Sequence, residues 1–236
     1  MSMPSILQQK IEKAKVALHS HPQLDLNLGY RQGIWVALEF NGEAKSIKLG
    51  HKRRTVLAII TASRVLNIWE NIWWQDGTPH SLIGTTQLLL AKKIEQSQAR
   101  AYRNEMWAKL ENMASAPEYQ GFEYQKAIAA GLSAISALST ALDDEAFDRE
   151  GIDEELTDAD TDAYESDSSF WAAIAHAGAT WEAEGDRKKR EEFWQWWLTE
   201  AVKNAWRAIP ADSDSRQVQL ASQRSLPIAY LRSPVS

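Results

Sequence analysis

Residues 122–142, FEYQKAIAAGLSAISALSTAL, decide how this chain packs. Ala127, Ala130, Gly131, Ala134, Ala137, Leu138 and Ala141 recur at three- and four-residue steps, which places small side chains on one face of a helix over Phe122–Leu142. A face without bulk lets a second helix backbone approach closely. Larger side chains on neighbouring elements must then fill the space beside it. The chain carries 11 Trp, and its Trp-rich helices are the expected fillers. Within this segment, Gly131-Leu132-Ser133-Ala134-Ile135 begins like a strand-to-helix nucleophile turn. It lacks the closing glycine and lies inside a helical pattern, so it reads as close helix packing.

The flanking segments also carry helical periodicity. Pro4–Leu18 forms an opening helix with Ile6, Ile11, Val16 and Leu18 as apolar contacts, and Leu28–Glu39 a second with Tyr30, Ile34, Trp35 and Leu38. Asn41-Gly42 supplies turn chemistry, and Lys45–Leu49 is expected to be a loop. Val56, Ile59, Ile60, Val65, Leu66, Ile68, Trp69, Ile72 and Trp73 give one helix a wide apolar face suited to a central position. Asp76-Gly77 breaks it; Thr78 then caps a new helix, with Pro79 at its first position, where a missing N–H costs least. Gln98–Met113 follows, and Pro117 separates it from the small-residue helix. Ser168–Ala183 and Asp186–Ile209 close the pattern, joined by a turn at Gly185, and Pro210 stops the last helix. No alternating run bounded by turns marks a strand, and no internal repeat is evident. The expected fold is all-α: a single-domain bundle of about seven or eight helices over 1–210. It carries an acidic loop at 143–167 and a polar C-terminal tail at 211–236, disordered or laid along the body as a strap.

Charge is unevenly distributed. The 236 residues have a formal charge of -6, but Asp143–Asp167 holds 13 acidic residues and one basic residue, Arg149. The remaining 211 residues hold 25 basic and 19 acidic groups, so a mildly basic body carries one strongly acidic insertion. A hydrophobic content of 44% is enough for a real core. No apolar run approaches the roughly 20 residues that span a bilayer, and Met1–Lys10 lacks the apolar stretch of a signal peptide. The absence of Cys excludes disulfides, thiolate zinc sites and thiol catalysis. A cytoplasmic location without a membrane partner is expected.

Searching for chemistry returns mostly exclusions. Phosphate-binding and dinucleotide-binding glycine motifs are absent, as are the helical His and Glu pairs of zinc and di-iron sites. His19, His21, His51, His80 and His176 include no helical metal-ligand pair, so no metal and no cofactor is implied. His176, among Ala173, Ile174, Ala175 and Ala177, reads as a histidine at the edge of the core. Asp158, Asp160 and Asp162 imitate the start of a calcium loop. The imitation fails because its sixth position is Ala163 and its twelfth Ser169, where glycine and glutamate are needed. Lys45, Lys48, Lys52, Arg53 and Arg54 lack the interleaved aromatics of a nucleic-acid surface and read as a solvated helix start that partners the acidic segment. Phe193, Trp194, Trp196 and Trp197 span most of a helix circumference, which implies burial among several neighbours.

Several motifs together resemble a family. Arg64-Val65-Leu66-Asn67-Ile68-Trp69-Glu70 is followed by Asp76-Gly77-Thr78-Pro79. Much later comes Arg187-Lys188-Lys189-Arg190-Glu191-Glu192-Phe193-Trp194-Gln195-Trp196-Trp197-Leu198-Thr199-Glu200-Ala201-Val202, ending in Ala205-Trp206. With the small-residue helix and acidic stretch between them, these segments resemble the all-helical immunity proteins encoded beside bacterial polymorphic toxins. The resemblance spans roughly Leu28–Ile209. It implies a cytoplasmic non-enzyme that binds and neutralises a cognate toxin.

Charge suggests how such a protein would bind. A toxin that acts on nucleic acid, such as a nuclease, has a basic cleft that an acidic surface suits. The candidate partner-binding residues are therefore Asp153, Glu154, Glu155, Asp158, Asp160, Asp162 and Tyr164, with Phe147, Ile152, Leu156 and Tyr164 as apolar anchors. Two alternatives remain open. One is a helical enzyme or ligand-binding protein with a polar cleft formed by Glu70, His176, Arg190 and Glu200. The other is a regulatory protein-interaction module that uses the tail. Neither nucleic acid nor membrane is an expected partner, and the sequence leaves the oligomeric state open.

Overall fold

The computed structural model describes residues 3–39, 44–143, 149–160 and 166–210. Those residues form helices and turns, with no strand among them. In chain order they are α1 (Ser5–Ser20), α2 (Leu28–Ala37), α3 (Ala44–Ser63), α4 (Leu66–Ile72), α5 (Thr78–Leu90), α6 (Gln96–Ser115), α7 (Phe122–Asp143), α8 (Ser168–Ala177), α9 (Arg187–Trp196) and α10 (Val202–Ala208). Counting α3–α4 and α9–α10 as one interrupted rod each, the described residues hold eight rods in an all-α bundle. The tail at 211–236 lies outside the described residues.

α7 is the centre of the bundle and packs against α3, α4, α5, α6 and α8. Its small residues explain this. A Cβ on Gly131 would come within 2.8 Å of Leu110 Cδ2 and 3.0 Å of Trp69 Cζ3, so α4 and α6 press against bare backbone. α8 fits closely because its own buried face is small: Ala172, Ala173, Ala175 and Ala177. Trp69 is thus one expected filler. The Trp-rich last rod packs elsewhere, on α3, α8 and α1. Serines of α7 fix the start of α8: Ser133 Oγ donates to Ser168 O (2.8 Å) and Ser136 Oγ to Ser166 O (3.1 Å). Phe122 lies against Gly178 at the far end of α8, so the two helices run antiparallel.

Four local features differ from expectation. Lys45–Leu49 is helical, within α3. The expected helix from Val56 to Trp73 breaks at Arg64–Val65, where buried Val65 adopts φ -113° and ψ 5°. The break re-aims α4, so that Trp69 is fully buried and donates its indole N–H to Asp76 O (2.7 Å). Thr78 is the first residue of α5 rather than its cap: Gly77 holds the cap position without a side-chain bond, and the Asp76 carboxylate accepts the Thr78 N–H (2.8 Å). α8 ends at Ala177, not Ala183, because Gly178 takes a left-handed φ of +80°.

Arg53 and Arg54 are buried rather than solvated. Arg53 donates to Ile209 O (3.0 Å) and Leu38 O (2.9 Å), and its guanidinium lies 3.5 Å from the Trp206 ring centroid. It therefore holds the ends of α10 and α2 through their exposed carbonyls. Arg54 pairs with buried Glu39 (2.6 Å).

One π turn, Trp197–Ala201, joins α9 to α10, with Val202 N–H bonded to Trp197 O. It keeps Trp194, Trp197, Leu198, Ala201, Val202, Ala205 and Trp206 all buried. Glu192 and Glu200 face solvent, so no buried partner is required for them. Trp197 donates its indole N–H to Thr61 Oγ1 (3.1 Å) across the interface with α3. Trp197→Ala should therefore cost about 3–5 kcal/mol in urea unfolding. A loss under about 1 kcal/mol would place this side chain outside the core.

Candidate docking surface

The acidic segment is a strap fastened across α1 and α2. Glu154 accepts from Lys13 and Lys10 of α1. Leu156 O accepts the Gly29 N–H of α2 (3.0 Å). The approach is so close that a Cβ on Gly29 would overlap the Asp153 carbonyl. Asp158 pairs with Arg31 of α2. Asp167 closes the far end: its Oδ1 caps α8 through the Ser169 and Phe170 N–H groups (2.7 and 3.3 Å), and its Oδ2 lies 3.1 Å from Arg31 Nη2. Arg149 pairs with Glu39 (2.8 Å), which links the near end of the strap to Arg54. The expected internal pairing of the acidic segment is thus supplied mainly by α1 and α2.

Arg31 is the anchor of the strap, and its side chain has 0% exposure. Burial opposes its charge, but Asp158, Asp167 and Asp25 outweigh burial and hold it above its ordinary value. Trp194 lies beside it at 5.5 Å and donates its indole N–H to Asp25 Oδ1 (2.6 Å). One guanidinium thus pairs with two carboxylates and feels the charge of a third. Burial, reinforced by Asp167 and Asp25 and opposed by Arg31, pushes the Asp158 carboxyl up to about 6. The Lys13 hydrogen bond instead holds the exposed-edge Glu154 below its usual value.

The candidate partner-binding residues therefore divide. Glu154 and Asp158 are engaged by the body. Asp153, Glu155 and Asp160 are exposed on the strap. Asp153 Oδ1 accepts the Glu155 N–H (2.9 Å) and Asp160 Oδ2 the Thr157 N–H (2.9 Å), so the exposed carboxylates sit in ordered turns. Ile152 and Leu156 are half-buried. Asp162, Tyr164 and Phe147 lie outside the described residues.

The polar-cleft candidates have four separate sets of neighbours. Glu70 pairs with His80 (3.1 Å). Arg190 is buried and donates to Gly178 O (2.9 Å) and Gln23 O (3.2 Å), tying α9 to the α1–α2 connection. Half-buried His176 lies 5.9 Å from the Phe193 ring. Burial, together with the Arg64 and Lys189 charges, lowers its pKa below the ordinary value. Glu200 faces solvent. A cavity of about 400 Å³ lies elsewhere, between α6 and α7, against Arg103, Trp107, Glu111 and Ser139. Among the described residues, no group of three or more His, Cys, Asp or Glu is placed to hold a metal ion. Nor is any helix there long and apolar enough to cross a membrane.

Lys10, Lys13, Gly29 and Arg31 are absent from the candidates that the sequence supplies. One signal points to Arg31: it shares a helical face with Ile34 and Leu38, which places a cation on the side of α2 that must be buried.

An all-helical bundle with this arrangement belongs to a class of protein that a comparison with family models identifies directly. The model described as "Immunity protein Imm5" matches residues 11–204, which include the strap and most of the Trp-rich rod. The chain belongs to this immunity protein family. A search of curated proteins finds no match.

The raised pKa of Asp158 has a measurable consequence. The folded state holds this proton more tightly than the unfolded chain, whose ordinary value is 3.8. Asp158 therefore contributes most to stability when protonated, and that contribution declines as pH rises through 4 to 6. Asp158→Asn removes the titration. Its stability relative to wild type should rise by roughly 2–3 kcal/mol between pH 4 and pH 7 in urea unfolding. A difference that stays flat with pH would mean that Arg31 fully offsets burial of the charge.

Proposed function

We propose that this chain binds and neutralises the toxin of a bacterial polymorphic toxin system inside the cytoplasm of the cell that makes it. It does so by occupying a surface of the toxin, without catalysing a reaction. Membership of the immunity protein family is the observation that carries this proposal. The toxin acts on nucleic acid, and the strap docks on its basic cleft.

The strap suits this role physically. Asp153, Glu155 and Asp160 are exposed on a segment already fixed by Glu154, Leu156 and Asp158. Little ordering is then required on binding, which lowers the entropic cost of association. Like charges concentrated on one surface accelerate encounter with a basic partner, and salt weakens that acceleration.

The decisive experiment is co-expression with the toxin domain encoded beside this gene, read as growth. Wild-type chain should restore growth, and the purified proteins should form a complex. Asp153→Lys combined with Glu155→Lys should lower the association rate about tenfold or more at low ionic strength and flatten its salt dependence. Glu154 is left intact in this variant because its reversal would break the Lys10 and Lys13 contacts. Unchanged association at low salt would remove the strap from the interface, whereas failure to restore growth would overturn the immunity role.

A further inference from the structure

An aromatic ladder leads from the core to the surface at the junction of α4 with the start of α7. Trp69, fully buried and fixed through its indole N–H, contacts Trp73 at 4.6 Å between ring centroids. Trp73 meets Tyr119 edge-on at 5.5 Å and Tyr124 at 5.9 Å, and the two tyrosines lie 5.4 Å apart. Beside Trp73, Trp74 is 76% exposed, and Tyr124 is 37% exposed. Burying an aromatic ring removes a large apolar area from water, so an exposed Trp on a rigid base has energy in reserve for an interface.

The surrounding charge selects the partner. Exposed Glu118 and Glu123 flank Tyr119 and Tyr124 in sequence, and Glu70, in the last turn of α4, precedes Trp74 by four residues and pairs with His80 (3.1 Å). Two cations of this region are already engaged: Lys126 lies 5.2 Å over the Phe122 ring and pairs with Glu123 (3.4 Å) at only 13% exposure, and Lys109 pairs with Asp76 (2.6 Å). Electron-rich ring faces inside a carboxylate rim attract guanidinium and ammonium groups. The same rim repels nucleic-acid phosphates. It also disfavours a symmetric contact with a second copy, which would bring like charges together.

We infer that this ladder, Trp73, Trp74, Tyr119 and Tyr124, is a docking surface for an arginine- or lysine-bearing segment of the partner protein. The inference rests on the toxin-binding proposal for the identity of that protein. It names a surface distinct from the strap. The strap is fastened at the start of α8, whereas the ladder sits by the start of α7, next to the end of α8. Those two ends of a ten-residue helix are about 15 Å apart. Because Trp69 and the neighbouring rings already hold Trp73, this ring loses little rotamer freedom on binding.

Two measurements on the full chain test the ladder. In the first, a ten-residue arginine peptide is titrated while the indole N–H signals are followed by NMR, with Trp73→Phe and Trp74→Phe assigning the two ladder indoles. The Trp73 and Trp74 signals should shift saturably. Trp74→Ala combined with Glu118→Gln and Glu123→Gln should weaken the affinity read there about tenfold. Shifts confined to strap amides, or none at Trp73 and Trp74, would overturn the ladder as a cation surface. In the second, the toxin domain encoded beside the gene is bound to wild type, to Trp74→Ala with Tyr124→Ala, and to the strap variant. A tenfold or greater loss in the ladder variant supports the inference. Equal affinity to wild type overturns it while leaving the immunity role intact. A toxin that wild type itself does not bind overturns both the immunity role and the partner named here; the peptide titration alone then decides whether the ladder binds cations.

Discussion

Close contact around α7 is the constraint from which the rest of the bundle follows. A helix with Ala127, Ala130, Gly131, Ala134, Ala137 and Ala141 contributes little bulk of its own. Its stability must come from neighbours pressed near enough to exclude water and regain dispersion contacts. Leu110 and Trp69 do this at Gly131, and the alanines of α8 do it along the opposite run. Once five helices crowd one rod, the other elements have limited places to go. The last rod covers α3 and α8, and α1 with α2 forms an outer layer that the strap then crosses.

Buried charge is used throughout this outer region as a joint between elements. Arg53, Arg190 and Arg31 each leave solvent, but their partners differ. Arg53 and Arg190 satisfy backbone carbonyls where helices end. Arg31 instead pairs with two carboxylates of the strap, Asp158 and Asp167, with the charge of Asp25 nearby. Such joints specify geometry more than they add stability, since desolvation offsets much of the attraction. The contrast shows in the two guanidinium groups. Burial pushes Arg53 down to about 10, which still leaves it charged at neutral pH, whereas the carboxylates around Arg31 hold it above its ordinary value.

The all-α class, the central role of small residues in α7 and most helix ends were legible because each rests on local periodicity or on a breaking residue. Phe122, Pro117 and Pro210 mark their boundaries within a residue or two. The break at Arg64–Val65 was not legible, because no glycine or proline marks it. It exists so that Trp69 can reach a space defined by α7, about 60 residues later. The candidate site was half legible for a similar reason. The acidic run is plain in the sequence, but which carboxylates face inward depends on Lys10, Lys13 and Arg31, more than 120 residues away. Composition reports the charge, and only the tertiary fold reports which of it is already used.

Those separations bear on how the molecule assembles. The Lys13–Glu154 and Arg31–Asp158 contacts span 141 and 127 residues. Trp194–Asp25 and Arg190–Gln23 span 169 and 167. The first two helices therefore cannot reach their final setting until the last third of the chain has left the ribosome. They emerge first and depend on partners made much later. Contacts of this range form late because the intervening chain must close a long loop before they stabilise anything. The strap thus works as a clasp that ties the first two helices to the second half of the chain.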